Sequence, residues 1–161
     1  MGYIFAISSV AVIIASPLVG MLIKTMGRRS LIFIGVLLMG TSFMFFGLAD
    51  YVQDPLIFTL CLFIIRFLQG FSSALIQTTL YSVCTNFYPE DKEALVGYIE
   101  AITGVGMIAG PIPGSTLYTI GGYEFAFYSF GGVFLILAMW VYKIFPEYID
   151  KSTSPEEEHV S

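Results

Sequence analysis

Gly20-Met21-Leu22-Ile23-Lys24-Thr25-Met26-Gly27-Arg28-Arg29 decides the fold, because this small-residue turn with its cations lies between two apolar segments. Crossing ~30 Å of hydrocarbon at ~1.5 Å per residue takes ~20 apolar residues. Residues 3–22 and 30–48 each supply about that length, and further such segments follow at 56–83, 94–120 and 125–145. The spacing therefore predicts an all-α, polytopic membrane bundle of five transmembrane helices over residues 1–147. Residues 148–161 carry Asp150, Glu156, Glu157 and Glu158 and read as a disordered acidic tail.

Composition agrees with that reading. With 57% hydrophobic and 12% charged residues and a mean hydropathy of +0.83, the chain has too little polar surface to enclose a water-soluble core. The lipid bilayer is its expected partner. A net charge of −5, concentrated near the end of the chain, gives no reason to expect a nucleic-acid partner. No cation precedes the first apolar run and a basic loop follows it, so residues 3–22 read as a retained span rather than a signal peptide. Cys61 and Cys84 fall far apart along one predicted helix, which rules out a disulfide between them. His159 sits in the polar tail and reads as solvated.

Cations alternate with the loops. Lys24, Arg28 and Arg29 occupy the first loop, Lys92 the third, and Lys143 and Lys151 lie at the end of the last span and beyond it, whereas residues 49–55 and 121–124 contain none. Because short loops rich in Lys and Arg stay on the cytoplasmic side, the odd-numbered loops are read as inner and the first span as starting outside. The equivalent face of an organelle membrane satisfies the same rule, so the organelle stays open among plasma, vesicular and mitochondrial inner membranes.

The third span carries Arg66 roughly 15 Å from its outer end, where a cation costs ~2.5–3.5 kcal/mol on insertion scales. Steps of three and four place Arg66, Gly70, Ser73, Gln77 and Tyr81 on one stripe, with Gln69 beside it. That stripe is either a solute or proton pathway or the buried seam of a bundle in which Arg66 has a structural partner. In the fourth span, Glu100 lies ~10 Å from the inner end, as a proton or amine site or as a snorkelling carboxylate. Arg66 and Glu100 differ in depth by ~15 Å, so no direct ion pair is expected. Gly106, Gly110 and Gly114 repeat at every fourth position, with Pro111 and Pro113 among them, and offer either a packing groove or a hinge. The last span is ringed by aromatic residues at both ends, as interface belts are. No zinc spacing, phosphate loop or nucleophile elbow occurs, so no metal, cofactor or catalysis is expected.

Taken together, these residues resemble the amino-terminal half of a major facilitator superfamily transporter, helices 2 to 6. Gly20, Leu22, Gly27, Arg28 and Arg29 resemble its loop motif between helices 2 and 3; Arg66, Gln69, Gly70, Ser72, Ser73 and Ala74 resemble the helix 4 motif. Gly106, Gly110, Pro111, Gly114 and Leu117 resemble the helix 5 motif of antiporters. Glu100, with Leu117, Tyr118 and the Gly121-Gly122-Tyr123 run, is similar to vesicular amine and polyamine transporters and drug:proton antiporters. The resemblance implies a partial major-facilitator fold and a proton-coupled antiport of an organic cation or polyamine-like solute. Arg66 would serve proton coupling or cavity electrostatics, the Gly110-Pro111 kink the conformational change, and the basic loop a latch. Lys24 stands where that loop motif has an acidic residue. Alternating access in this fold rocks two halves around a central site, so a partner supplying the remaining helices is implied. The competing expectation is a structural subunit of a larger membrane complex, derived from a truncated transporter and inactive in transport.

Overall fold

The computed structural model describes residues 2–145, and every element among them is helical. They are α1 (Gly2–Met26), α2 (Arg28–Ala49), α3 (Pro55–Phe87), α4 (Lys92–Ala109) and α5 (Pro111–Ile144). The predicted tail at 148–161 and His159 lie outside the described residues.

Single residues set the turns. Gly27, at φ 79°, parts α1 from α2, in a region of backbone space that costs an L side chain about 1–2 kcal/mol. Asp54 starts α3: its Oδ1 accepts from the amides of Leu56 (2.8 Å) and Ile57 (3.2 Å), and Pro55 occupies the first helical turn. The helix runs on past the expected residue 83 to Phe87 and stops ahead of Tyr88-Pro89, where the approaching proline disfavours helical torsions.

The second half of the chain divides differently from the predicted segments 94–120 and 125–145. α4 ends at Ala109, yet Gly110 keeps helical torsions (φ −54°, ψ −42°) and its amide still reaches the Gly106 carbonyl at 2.8 Å. Pro111 and Pro113 have no amide to donate, so two rungs are missing at this junction. The larger break lies at Gly122, where φ 78° and ψ −168° turn the chain inside α5 without a loop. Four helical stretches are long and apolar enough to cross a membrane: Ala6–Met26, Arg28–Ala49, Pro55–Phe87 and the 53-residue Lys92–Ile144. Drawn out straight, the last would reach ~80 Å, against ~30 Å of hydrocarbon. It is instead folded at Gly122, because a Cβ on Gly114, before the bend, would lie 4.0 Å from the Phe130 ring after it. Each limb is long enough to cross the hydrocarbon by itself.

α2 is the central helix, packed broadly against α5 on one side and α3 on the other, while α1 packs against α3. Ala11, Ala15, Val19 and Ile23 form a buried i, i+4 stripe on α1, the last three clustering with Leu31 of α2 and with Ala74 and Leu75 of α3. In lipid the gain comes from van der Waals fit and interhelical hydrogen bonds rather than from escaping water. Small residues therefore mark the seams. Ser72 Oγ donates to the Gly35 carbonyl at 2.6 Å, and a Cβ on Gly131 would stand 3.1 Å from the Gly40 carbonyl oxygen. The large side chains left outside, among them Ile13, Ile64, Ile108 and Trp140, face what would be the acyl chains.

Candidate functional site

Arg66 projects from α3 into a cavity of about 280 Å³. The wall is shared by three helices: Ser8 and Ser9 from α1, Met39 and Phe43 from α2, and Gln69, Gly70 and Ser73 from α3. Arg66 Nη1 donates to Gln69 Oε1 at 3.1 Å, and the guanidinium carbon lies 4.9 Å from the centroid of the Phe46 ring. A half-buried cation thus meets a side-chain amide and a π face, with hydroxyls around the same space. Gly70 makes this geometry possible, since a Cβ there would come within 2.3 Å of the Ser8 carbonyl oxygen. Glycine lets α1 approach closely enough for Ser8 and Ser9 to join the wall.

Of the predicted stripe, Arg66, Gln69, Gly70 and Ser73 converge on this cavity. Gln77 lies further along the same helix, part-buried and outside the cavity wall. Tyr81, further still, donates its hydroxyl to a carboxylate oxygen of Glu100 on α4. Arg66 and Tyr81 are about 22 Å apart along the helix, so Arg66 and Glu100 belong to separate places. Glu100 is exposed, and α4 as a whole buries none of its residues.

Gly106 has open space where a Cβ would go, and Gly114 meets only the Phe130 ring. Gly110 and Pro111 lie exposed at the junction of α4 and α5.

The loop arginines are structural staples. Arg28 is almost fully buried; its Nε donates to Ser82 Oγ at 3.1 Å and its guanidinium lies 5.6 Å from the Phe87 ring centroid. Arg29 donates through Nε, at 3.1 Å, and Nη2 to the Tyr142 carbonyl, and its guanidinium rests 4.2 Å from the same residue's ring centroid. A cation at a helix C-terminus is favoured by the helix dipole. The pair thereby fastens the start of α2 to the C-terminal ends of α3 and α5. Gly20 is open on its helix and Lys24 is exposed.

Sequence reasoning missed Ser8, Ser9, Met39 and Phe43 as wall residues, and Phe46 as the ring under Arg66. Ser8-Ser9 inside an apolar run was the readable signal for the α1 contribution. Nothing in the spacing of Phe46 singled it out among 15 phenylalanines. At the opposite end of the bundle, Tyr51 Oη donates to Glu124 Oε2 at 3.1 Å, tying the α2–α3 loop to the bend of α5.

Apolar crossings around a polar cavity, with the loop cations on one face, define a multi-pass membrane protein of the transporter kind. The chain belongs to the Major Facilitator Superfamily, which matches residues 1–160. It is 29% identical to the MFS-type transporter SLC18B1 of Homo sapiens, over 91% of this chain and 32% of that protein. It is 29% identical to Multidrug resistance protein 2 of Bacillus subtilis, over 99% of this chain and 37% of the relative, and 30% identical to a probable vesicular acetylcholine transporter-A of Danio rerio, over 89% and 28%. The chain therefore spans about a third of the length of the relatives it matches. No solved structure matches it.

Proposed function

We propose that this chain forms part of a solute:proton antiporter whose substrate is an organic cation or polyamine-like solute, working with further helices that a partner or a longer polypeptide supplies. The observation that carries the reading is Arg66, held inside a membrane span against a polar cavity that three helices build. A charge tolerated at that depth marks a solute or ion pathway. The relatives named for multidrug resistance and acetylcholine supply the substrate class. Glu100 is the acid in this scheme: a carboxylate that takes up a proton on one side and gives way to a cationic solute on the other couples the two flows. Arg66 keeps the cavity hydrated and excludes a second cation from its own end. Liposomes holding the chain with its complement should take up a radiolabelled quaternary amine in response to a proton gradient, and Arg66→Ala and Glu100→Gln should each reduce that uptake. Uptake that ignores the gradient, or is unchanged in both variants, overturns the assignment.

A second reading, a structural subunit without transport activity, is favoured by α4. None of its residues is buried and the space over Gly104 and Gly106 is open, which leaves a face for another chain. Depletion that leaves solute flux unchanged, with a stable co-purifying complex, would decide for it.

A further inference from the structure

The three helices around the Arg66 cavity contribute unlike chemistry. α3 gives Arg66, Gln69 and Ser73, α2 gives only the apolar Met39 and Phe43, and α1 gives both kinds, Ser8 and Ser9 with Val12 one turn on. Among the described residues no Asp or Glu belongs to this wall. What it offers is donors. A guanidinium carries five N–H groups and no acceptor. Gln69, almost fully buried, accepts from Arg66 Nη1 through its Oε1 at 3.1 Å, so that amide offers the cavity the two N–H groups of Nε2. With the serine hydroxyls added, the polar wall holds more donors than acceptors and one positive charge.

We propose that this cavity binds the carboxylate of a short-chain organic acid. A carboxylate is an acceptor only, with about four lone-pair sites, and its two oxygens match the fork of a guanidinium. An organic cation would bring a like charge to the same donors. A neutral amide or alcohol would bring donors of its own and fewer acceptors. The apolar part of the wall gives an aliphatic tail somewhere to lie, which a bare halide does not need. At ~30 Å³ per water the 280 Å³ cavity holds about nine waters' worth of space, below the usual range for a drug-sized molecule and enough for an acid of a few carbons with some water. Asp50, Asp54 and Glu124, in the α2–α3 loop and at the α5 bend, do not reverse this preference. Asp54 already accepts from the amides of Leu56 and Ile57 and Glu124 from Tyr51 Oη, while Asp50 is exposed and screened by water and salt. A guanidinium in hydrogen-bond reach outweighs them.

The proposal does not rest on the transport reading, because its test reads binding alone. The full chain in nanodiscs is titrated with butyrate and, separately, with its neutral amide butyramide, and saturation transfer to the ligand methyl protons is followed against empty nanodiscs. Butyrate should bind roughly tenfold more tightly, since bonds between charged partners outweigh neutral ones. Chloride shares the charge but neither the second oxygen nor the tail, so it should displace butyrate several-fold less well than propionate does. Gln69→Glu keeps the side-chain shape and sets a tethered carboxylate beside Arg66; it should abolish butyrate binding while the melting temperature stays at or above that of the parent. Ser73→Ala, which adds no bulk, should weaken butyrate several-fold, and Arg66→Gln should erase the preference for the acid over the amide. Equal affinity for butyrate and butyramide, or butyrate binding unchanged in Gln69→Glu or in Ser73→Ala, overturns the proposal. Chloride as effective as propionate overturns the carboxylate assignment and leaves a site that reads charge alone.

Discussion

Gly70→Ala tests whether the cavity wall is built by close approach of α1. The added Cβ would stand 2.3 Å from the Ser8 carbonyl oxygen and 2.8 Å from the Ala11 Cβ. A carbon and a carbonyl oxygen settle no closer than ~3.3 Å, so α1 must retreat by ~1 Å along the seam that buries Ala11, Ala15 and Val19. Overpacking of this kind costs about 1–3 kcal/mol. At ~2–4 °C per kcal/mol for a chain of this size, a 2 kcal/mol loss lowers the melting temperature by roughly 4–8 °C. Cys61 and Cys84 are free and half-buried, so a thiol-reactive dye can report unfolding of the purified protein on heating. Gly104→Ala is the control, since no atom lies within 4 Å of its added Cβ; removing a helix glycine there should leave stability unchanged or raise it by up to ~1 kcal/mol. Equal melting curves for the two variants would refute the close α1–α3 contact, and with it the place of Ser8 and Ser9 in the wall.

Arg28→Ala should destabilise by about 1–3 kcal/mol, because it strips a part-buried hydrogen bond from Ser82 and a cation–π contact from Phe87. Lys24→Ala, at an exposed position in the last turn of α1, should stay within about 0.5 kcal/mol in the same melt. Tyr81→Phe removes the hydroxyl donated to Glu100 and, at about 1 kcal/mol for an exposed charge-assisted bond, should speed hydrogen exchange in α4 about fivefold while α1 to α3 keep their protection. Between α2 and α3, the hydrogen bond to the Glu124 carboxylate, together with its charge, raises the Tyr51 phenol above its ordinary 10.0. The neutral phenol is the form held in the folded protein, so this tie is complete below pH 10 and is lost as pH rises through the raised value. The ultraviolet titration difference between the parent and Tyr51→Phe isolates that phenol, and Glu124→Gln should return its midpoint toward the ordinary value; a midpoint that does not move refutes the contact.

The helical, membrane-spanning character was legible because hydropathy and length leave few alternatives: ~20 apolar residues between cations admit only a crossing helix. Arg66, Gln69, Gly70 and Ser73 could be grouped because three- and four-residue steps on one helix fix one face whatever lies opposite. What lies opposite could not be read. Ser8, Ser9 and Phe43 reach the cavity through contacts between helices, and no periodicity within one helix encodes which neighbour arrives or at what height. The turn at Gly122 was harder for a different reason. Gly121-Gly122 signals a break, but a four-residue loop and a single left-handed glycine leave the same mark in composition, and only torsion angles tell them apart.

Small-residue seams show the same limit in a sharper form. Gly35 with Ser72, Gly40 with Gly131 and Gly70 with Ser8 bring backbones together across helix pairs, while Gly104 and Gly106 on α4 meet nothing. A missing side chain lowers the cost of approach; the approach itself must be driven by what the neighbouring surface offers. α2 provides two such surfaces at once and is buried on both, so its glycines are used. α4 leans on α3 through the Tyr81–Glu100 bond, and none of its residues is fully buried. A helix with few packed neighbours opens at far lower free energy than one packed along its length. The carboxylate proposed to carry protons thus sits on the least constrained helix of the bundle and the deep arginine on a well-packed one, so motion of α4 past α3 would change the surroundings of Glu100 without disturbing Arg66.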